Sequence, residues 1–267
     1  MEPKIWSFQD LASLPRVARG ISGVISEYKS HEVVKWPYPC ADDERNHEIE
    51  RRIYTRLGRH ARIVHVIAIL PERGIVMERL KEPLCLRLKT LQENGDTVSS
   101  EQIQRWSLQI AEALHYIHSK RVLQADIGSQ NLLLDEKDNL KFADFAGSSI
   151  DGEQAFVCSS SRASLRPYWE HHPSIKDEIF AMGSILYEIS TGRKPYHDKT
   201  DSAVEKLYLA AQFPDTDHLQ LGPVIWKCWK IQYEDTAETL SDLQQLFQRK
   251  KCSYIWFVEE NLMVKSL

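Results

Sequence analysis

Two acids and an amide at fixed intervals constrain this chain more than any other feature in it. In Ala125-Asp126-Ile127-Gly128-Ser129-Gln130-Asn131 an acid precedes an amide by five positions. The apolar run Leu132-Leu133-Leu134 follows at once, and Leu140-Lys141-Phe142-Ala143 then leads into a second acid, Asp144. Two short apolar runs flanking a polar interval predict a hairpin, and its second strand would deliver Asp144 beside the first two groups. A turn aspartate before Gly and Ser commonly bonds only its own backbone. Two acids and an amide at these offsets are a more specific signal than that.

The remaining sequence falls into two patterns. Residues 17–80 read mostly as strands with one helix. Val24-Ile25 and Val33-Val34 predict a strand pair across a polar turn near Lys29-Ser30. Residues 42–58 predict a charged helix with Ile49, Ile53 and Leu57 on one face and Gly58 as its stop. Residues 63–70 read as a buried strand, followed by a strand at 74–77 around the turn Pro71-Glu72-Arg73. From Ser99 the periodicity turns helical. Ser99 and Gln102 fit a capping box, and Ile103, Trp106, Ile110, Leu114 and Ile117 form a stripe. Residues 177–191 are apolar on nearly every side and end at Gly192, which predicts a helix buried within a lobe. Helices at 224–229 and 235–247 complete the pattern. The fold class expected is α+β: a β-rich part over residues 16–80 and a mainly helical part over 84–248. They join at Lys81-Glu82-Pro83, and residues 249–267 form an extension without a readable motif.

Composition narrows the function. The net charge of -4 argues against nucleic acid as the main partner. The five cysteines lack C-x-x-C spacing, which predicts reduced thiols and a cytoplasmic setting, with the nucleus as an alternative. The run at 63–70 is too short to span a bilayer, and the first ten residues have no apolar core, so neither a membrane anchor nor a secretory signal is expected.

The segment from Asp126 to Asn131, with Asp144-Phe145-Ala146-Gly147, resembles the protein-kinase catalytic loop H-R-D-x-x-x-x-N and its D-F-G motif. Ala18-Arg19-Gly20-Ile21-Ser22-Gly23-Val24-Ile25 resembles the glycine-rich loop of that family, with Ala18 at the first glycine. Val33-Val34-Lys35 resembles its V-A-I-K strand. Leu186-Tyr187-Glu188-Ile189-Ser190-Thr191-Gly192-Arg193-Lys194-Pro195-Tyr196 and Cys228-Trp229 resemble later helices of the same family. The likeness spans residues 16–248. The forms D-I-G-S-Q-N, D-F-A-G-S-S and T-G-R-K-P-Y look most like small atypical kinase-like proteins of filamentous fungi.

The resemblance implies a two-lobe kinase-like fold with ATP in the cleft. It implies phosphate contacts from Gly20, Ser22, Gly23 and Lys35. Lys35 would be oriented by Glu50, with Glu48 the competing assignment. Met77 would be the gatekeeper, and the backbone of Glu78 to Leu80 would bond the adenine. Asp126 would be the catalytic base, Asn131 and Asp144 the Mg²⁺ ligands, and Asp177 the acid that holds the catalytic-loop backbone. The substrate expected is a protein Ser/Thr hydroxyl, with no nucleic-acid or membrane partner.

The departures are as informative. Gln124 and Ala125 stand where the family has histidine and arginine, and that arginine pairs with an activating phosphate. Gly128 replaces a lysine that contacts the γ-phosphate, and Ala146 replaces the glycine of D-F-G, which should stiffen it. Arg166-Pro167-Tyr168 is the remnant of A-P-E, without its acid. Ser159, Ser160, Ser161 and Ser164 read as a polar mobile loop. Two rivals to a protein kinase stay open: a pseudokinase that binds nucleotide or a partner without useful turnover, and a small KEOPS-type kinase or ATPase acting on a non-protein substrate.

Overall fold

The computed structural model describes residues 8–20, 22–70, 74–165 and 173–248. Ile21, the turn 71–73, the remnant Arg166-Pro167-Tyr168 and the extension 249–267 lie outside the described residues.

The N-terminal part is an antiparallel sheet of β1 (Arg16–Arg19), β2 (Val24–Lys29), β3 (Glu32–Trp36), β4 (Val66–Ile69) and β5 (Ile75–Glu78), in the order β1-β2-β3-β5-β4. Strand alternation assigns its two faces. Val34 and Trp36 of β3 join Val24 and Val76 in a small cluster that buries Leu11 of the short helix α1 (Phe8–Ser13). Val33 points the other way with Ile75 and Met77, into the main core. Lys35 shares the register of Val33, and this alternation turns a charged side chain toward the cleft.

On that inner face lies α2 (Ala41–Leu57), which buries Ile49, Ile53 and Leu57 and ends at Gly58 with φ 60°. The predicted buried strand at 63–70 is corrected. Ile63 and Val64 are buried, but β4 is an edge strand with Ile67 44% and Ile69 36% exposed. Only the start of the apolar run enters the core, because β4 has no further strand beside it.

The chain crosses at Lys81, whose N–H donates to the Leu134 carbonyl at 2.8 Å. The expected junction Glu82–Pro83 is itself a strand, β6, in a second sheet ordered β6-β8-β9 with β8 (Leu132–Leu134) and β9 (Leu140–Phe142). The β8–β9 pair is the predicted hairpin, in register Leu132↔Phe142. Asp135 Oδ1 closes its turn by accepting the N–H groups of Lys137 and Asn139 at 2.8 and 2.9 Å. β7 (Val122–Leu123) pairs with β10 (Ser149–Ile150) on either side of this hairpin.

Around these strands pack α3 (Leu84–Glu93), α4 (Ser100–Ser119), a 3-10 turn at Ser161–Ala163, α5 (Ile175–Thr191), α6 (Asp201–Leu209), α7 (Gly222–Trp229) and α8 (residues 236–248). The predicted stripe of α4 is fully realised: all five side chains are buried. Its capping box is half made, since Ser99 Oγ accepts the Gln102 N–H while the Gln102 side chain donates to the Asp138 carbonyl. α5 runs through the middle of the lobe, with Ile179, Phe180, Met182, Leu186 and Ile189 completely covered. Each such side chain contributes about 1.5–3 kcal/mol relative to exposure. α5 meets α7 so closely that a Cβ on Gly183 would lie 2.7 Å from that of Cys228. This central helix is the floor on which the loop carrying Asp126 is built.

Candidate active site

Ser174 opens α5 with a reciprocal cap: Asp177 Oδ2 accepts the Ser174 N–H at 2.9 Å, and Ser174 Oγ accepts the Asp177 N–H. Asp177 is therefore a capping residue, and the role expected of it belongs to Glu178. The buried Glu178 accepts the Ala125 N–H at 2.7 Å, and its other oxygen lies 2.6 Å from His118 Nε2. The signal was readable: counting back from Gly183 in D-x-W-S-x-G puts the acid at position 178.

Above this support the loop bends sharply. Ala125 has φ 66° and Asp144 has φ 59°, both in the left-handed region that strains residues other than glycine. Gln124 reconciles the two. Its Oε1 accepts the Asp126 N–H at 2.9 Å and its Nε2 donates to the Asp144 carbonyl at 2.9 Å. One uncharged side chain thus ties the first acid's backbone to the second's, using the donor and acceptor that an amide combines. Ala146 accommodates its place without strain, since the left-handed turn falls on Gly147 at φ 77°.

The offset of five brings Asp126 and Asn131 together. Asn131 Nδ2 donates to the Asp126 carbonyl at 2.8 Å and to its Oδ2 at 3.0 Å. The Ala143 N–H donates to the Asn131 carbonyl at 2.9 Å, which fixes the strand leading into Asp144. Burial pushes the Asp126 carboxyl up to about 6, against the hydrogen bond from Asn131.

Lys35 joins the two parts of the molecule. Its Nζ lies 2.7 Å from Glu50 Oε2 and 2.7 Å from Asp144 Oδ1. Lys35 and Glu50 are 3% and 0% exposed, whereas the Asp144 side chain keeps 38% of its surface open. Burial opposes the Lys35 ammonium, but Asp144 and Glu50 outweigh it and raise its pKa. Burial also opposes the Asp144 carboxylate, yet Lys35 holds it below the ordinary range. At Glu50 burial wins and raises the carboxyl to about 7, against the pull of Lys35. Glu50 Oε1 also accepts the Phe145 N–H at 3.2 Å. Of the two glutamates weighed, Glu50 meets Lys35, while Glu48 pairs with Arg51 at 2.8 Å on the exposed face.

Over this network opens a largely apolar cavity of about 360 Å³. Lys35, Met77, Glu78, Leu80 and Asp144 line it, as expected. So do Val17, Ile25, Val33, Leu133 and Ala143, which sequence reasoning missed. Their signal was the strand alternation itself: Ala18 pairs with Ile25, and Val33 lies two positions before Lys35. At its edge the Arg79 N–H donates to the His31 carbonyl and the Lys81 N–H to that of Leu134. Between them the Leu80 N–H has no acceptor among the described residues. Gly20, Ser22 and Gly23 do not line this cavity. Gly20 donates its N–H to the Gly23 carbonyl at 2.9 Å, and Gly23 must be glycine because a Cβ there would collide with the Trp36 carbonyl.

The chain after Asp144 is ordered by contacts with α2 and the loop. Arg52 forms a two-pronged pair with Glu153 at 2.9 and 2.6 Å, Arg56 another with Asp151 at 3.2 and 2.8 Å, and Arg45 stacks on Phe156. Two of the four serines read as a mobile loop make side-chain hydrogen bonds. Ser159 Oγ accepts the Ile127 N–H at 3.0 Å, and Ser161 Oγ donates to Glu205 at 2.9 Å.

No group of three or more His, Cys, Asp or Glu side chains is arranged to hold a metal among the described residues. A magnesium–nucleotide site does not need one, since this ion takes one or two protein oxygens and completes its shell with phosphate and water. The donor set of one carboxylate, Asp144, and one amide, Asn131, fits that chemistry. No helix of the described residues is long and apolar enough to cross a membrane.

Comparison with known proteins agrees with this geometry. A probable serine/threonine-protein kinase of Dictyostelium discoideum is 28% identical over 244 residues, which is 84% of this chain and 26% of that protein. The CBL-interacting protein kinase 25 of Oryza sativa subsp. japonica is 27% identical over 226 residues, 78% of this chain and 44% of that protein. The megakaryocyte-associated tyrosine-protein kinase of Rattus norvegicus is 25% identical over 241 residues, 84% of this chain and 50% of that protein. The chain thus spans between about a quarter and a half of the length of these relatives. The model of the protein kinase domain matches residues 38–251, beginning just after Lys35 and taking in the catalytic loop, Asp144 and α5, and the chain belongs to that family.

Proposed function

We propose that the protein is an ATP- and Mg²⁺-dependent protein kinase acting on a serine or threonine hydroxyl. The observation that carries this is Lys35 Nζ, held between Glu50 and Asp144 under an apolar cavity. The cavity takes the adenine, with the Leu80 N–H as an edge donor. Lys35 holds the α/β-phosphates, and Glu50 orients Lys35. Asn131 and Asp144 would hold Mg²⁺, which neutralises charge between the phosphates. Asp126 accepts the hydroxyl proton as that oxygen bonds to the γ-phosphorus and the bond to the β-phosphate oxygen breaks, releasing ADP. Gln124 keeps the two acids in register without a titratable group.

Incubation with γ-labelled ATP, Mg²⁺ and a generic protein substrate tests this beside Asp126→Asn and Asp144→Ala. Label transfer is expected from the wild type. Asp126→Asn should cost about 10²–10⁴-fold, and a loss of only a few-fold would sink the assignment of the base. One observation favours a second reading, a nucleotide-binding protein with little turnover. Gly128 offers no cation, and the uncharged Gln130 amide fills the space its side chain would take. Under that reading Mg²⁺-ATP raises the melting temperature while no label moves.

A further inference from the structure

Two cavities beside the catalytic loop share Arg162, Glu188 and Lys194 in their walls. The smaller also touches Gly128 and Gln130, and the larger, about 340 Å³, extends to Lys89 on α3 and to Arg193 and His197 beyond α5. Through these shared walls they form one trough, which shares no lining residue with the nucleotide cavity and reaches Gln130, whose Nε2 donates to Asp126 Oδ1 at 3.5 Å. Its charge is one-sided: four cations face a single carboxylate in a chain whose net charge is -4.

The cations differ in how they are engaged. Arg162 is paired with Asp201, and Lys89 lies 3.7 Å from Glu93, with both side chains well exposed. Arg193 and Lys194 are exposed, and among the described residues neither has a carboxylate within ion-pair distance. The Arg193 guanidinium instead lies 2.8 Å from His197 Nε2. The one carboxylate, Glu188, is buried and already accepts the Ser129 hydroxyl at 2.9 Å. Burial raises its carboxyl against the pull of the nearby Lys194 ammonium, so it offsets part of the charge at that end of the rim while Arg193 stands farther from any carboxylate. Lys194 is near enough to Asp126 to oppose the burial that raises its carboxyl. An arriving anion would therefore sit within the field of the reacting groups.

We propose that this trough docks acceptor segments rich in Asp or Glu, with Arg193 and Lys194 as the specificity-determining residues. The proposal rests on the kinase reading above, and it names the acceptor class for the same site. Unpaired exposed cations beside a reaction centre favour a partner of opposite charge and repel one of like charge.

The test uses three fluorescent peptides with one central serine, flanked on both sides by Glu, by Ala or by Lys. Equilibrium binding to the full chain is measured by anisotropy, and label transfer from γ-labelled ATP is measured in parallel. The Glu peptide should bind about 10-fold more tightly than the Lys peptide at low salt, and added salt should narrow the gap. In Arg193→Glu/Lys194→Glu the Glu-to-Lys ratio should invert. That ratio does not depend on the fraction of active protein, so partial misfolding cannot imitate the inversion. Arg193→Gln/Lys194→Gln should bring it close to unity. Equal binding of all three peptides, tighter binding of the Lys peptide, or no binding at all would overturn the proposal, whatever the transfer assay reads. Preferred binding of the Glu peptide without transfer would support the trough while the kinase reading fell.

Discussion

The side proposed to take the nucleotide and the side proposed to take the acceptor are built under different physical rules. On the nucleotide side the charges are buried. Lys35 and Glu50 are almost wholly inaccessible, and each needs its partner. A lone buried charge is strongly destabilising, so removal of one member damages the whole set. On the acceptor side Gln130, Arg193 and Lys194 are exposed, and Gly128 carries no side chain. Water solvates those groups whether or not a partner is present. Lys35, Glu50, Asn131 and Asp144 stand intact; of the departures from the kinase pattern, Gln124, Ala125 and Ala146 are buried and shape the loop backbone, while Gly128 faces the acceptor side.

The widest gap should appear between Lys35→Met and Lys194→Met. Loss of Lys35 removes the preorganised cation at the phosphates and should lower transfer to every peptide by about 10²–10³-fold. Loss of Lys194 should change chiefly which peptide is favoured, with a far smaller effect on the rate itself. Steady-state rates with the three peptides check this, and a comparable collapse in Lys194→Met would erase the division between the two sides. Next in size is Gly128→Lys. A Cβ at this position meets only the tip of the Gln130 side chain, which can swing away, and the backbone is not left-handed there. Restoring a cation beside the γ-phosphate should raise the single-turnover rate by about 10-fold. An unchanged rate would mean that the missing lysine is not what limits the chemistry.

The pH dependence sharpens the same contrast. Asp126 must be a carboxylate to accept a proton, and burial has raised its carboxyl to about 6. The rate of the chemical step should fall as pH drops through that value, approaching one decade per unit. Gln124 replaces an imidazole with an amide, so the loop adds no second titration from that position. A single-turnover profile flat down to pH 5 would remove Asp126 from the role of base.

How much of this was legible follows the same line between buried and exposed. The hairpin after Asn131, the stripe of α4 and the lysine on β3 were readable, because alternation and helical periodicity report which side chains must be covered. The acid that holds the loop was misread by one position, Asp177 for Glu178, since adjacent acids look alike until the turn of the helix is counted from Gly183. The apolar lining from Val17, Ile25 and Leu133 was missed because valine and leucine carry no chemical signature apart from their register. The trough at Arg193 and Lys194 was invisible in sequence. It depends on α3, the catalytic loop and the end of α5 converging from distant stretches of chain.

The smallest expected effect concerns how α2 is held. Glu50 reaches Lys35 only while α2 stays against the chain after Asp144, and Arg52–Glu153 and Arg56–Asp151 span that contact. These pairs are exposed and individually weak, and Ala125 leaves an activating phosphate without the loop arginine it pairs with in kinases. Treatment with phosphatase should therefore leave the rate unchanged, and an abolished rate would overturn this account. Glu153→Arg should slow transfer by about 3-fold, within the range of a single exposed pair, and Arg52→Glu/Glu153→Arg should restore it by re-forming the pair with its signs exchanged. A structural role unrelated to charge would leave the double variant at least as slow as the single one. Rescue of kcat at an unchanged KM for ATP would assign these pairs to the positioning of Glu50 and to nothing on the acceptor side.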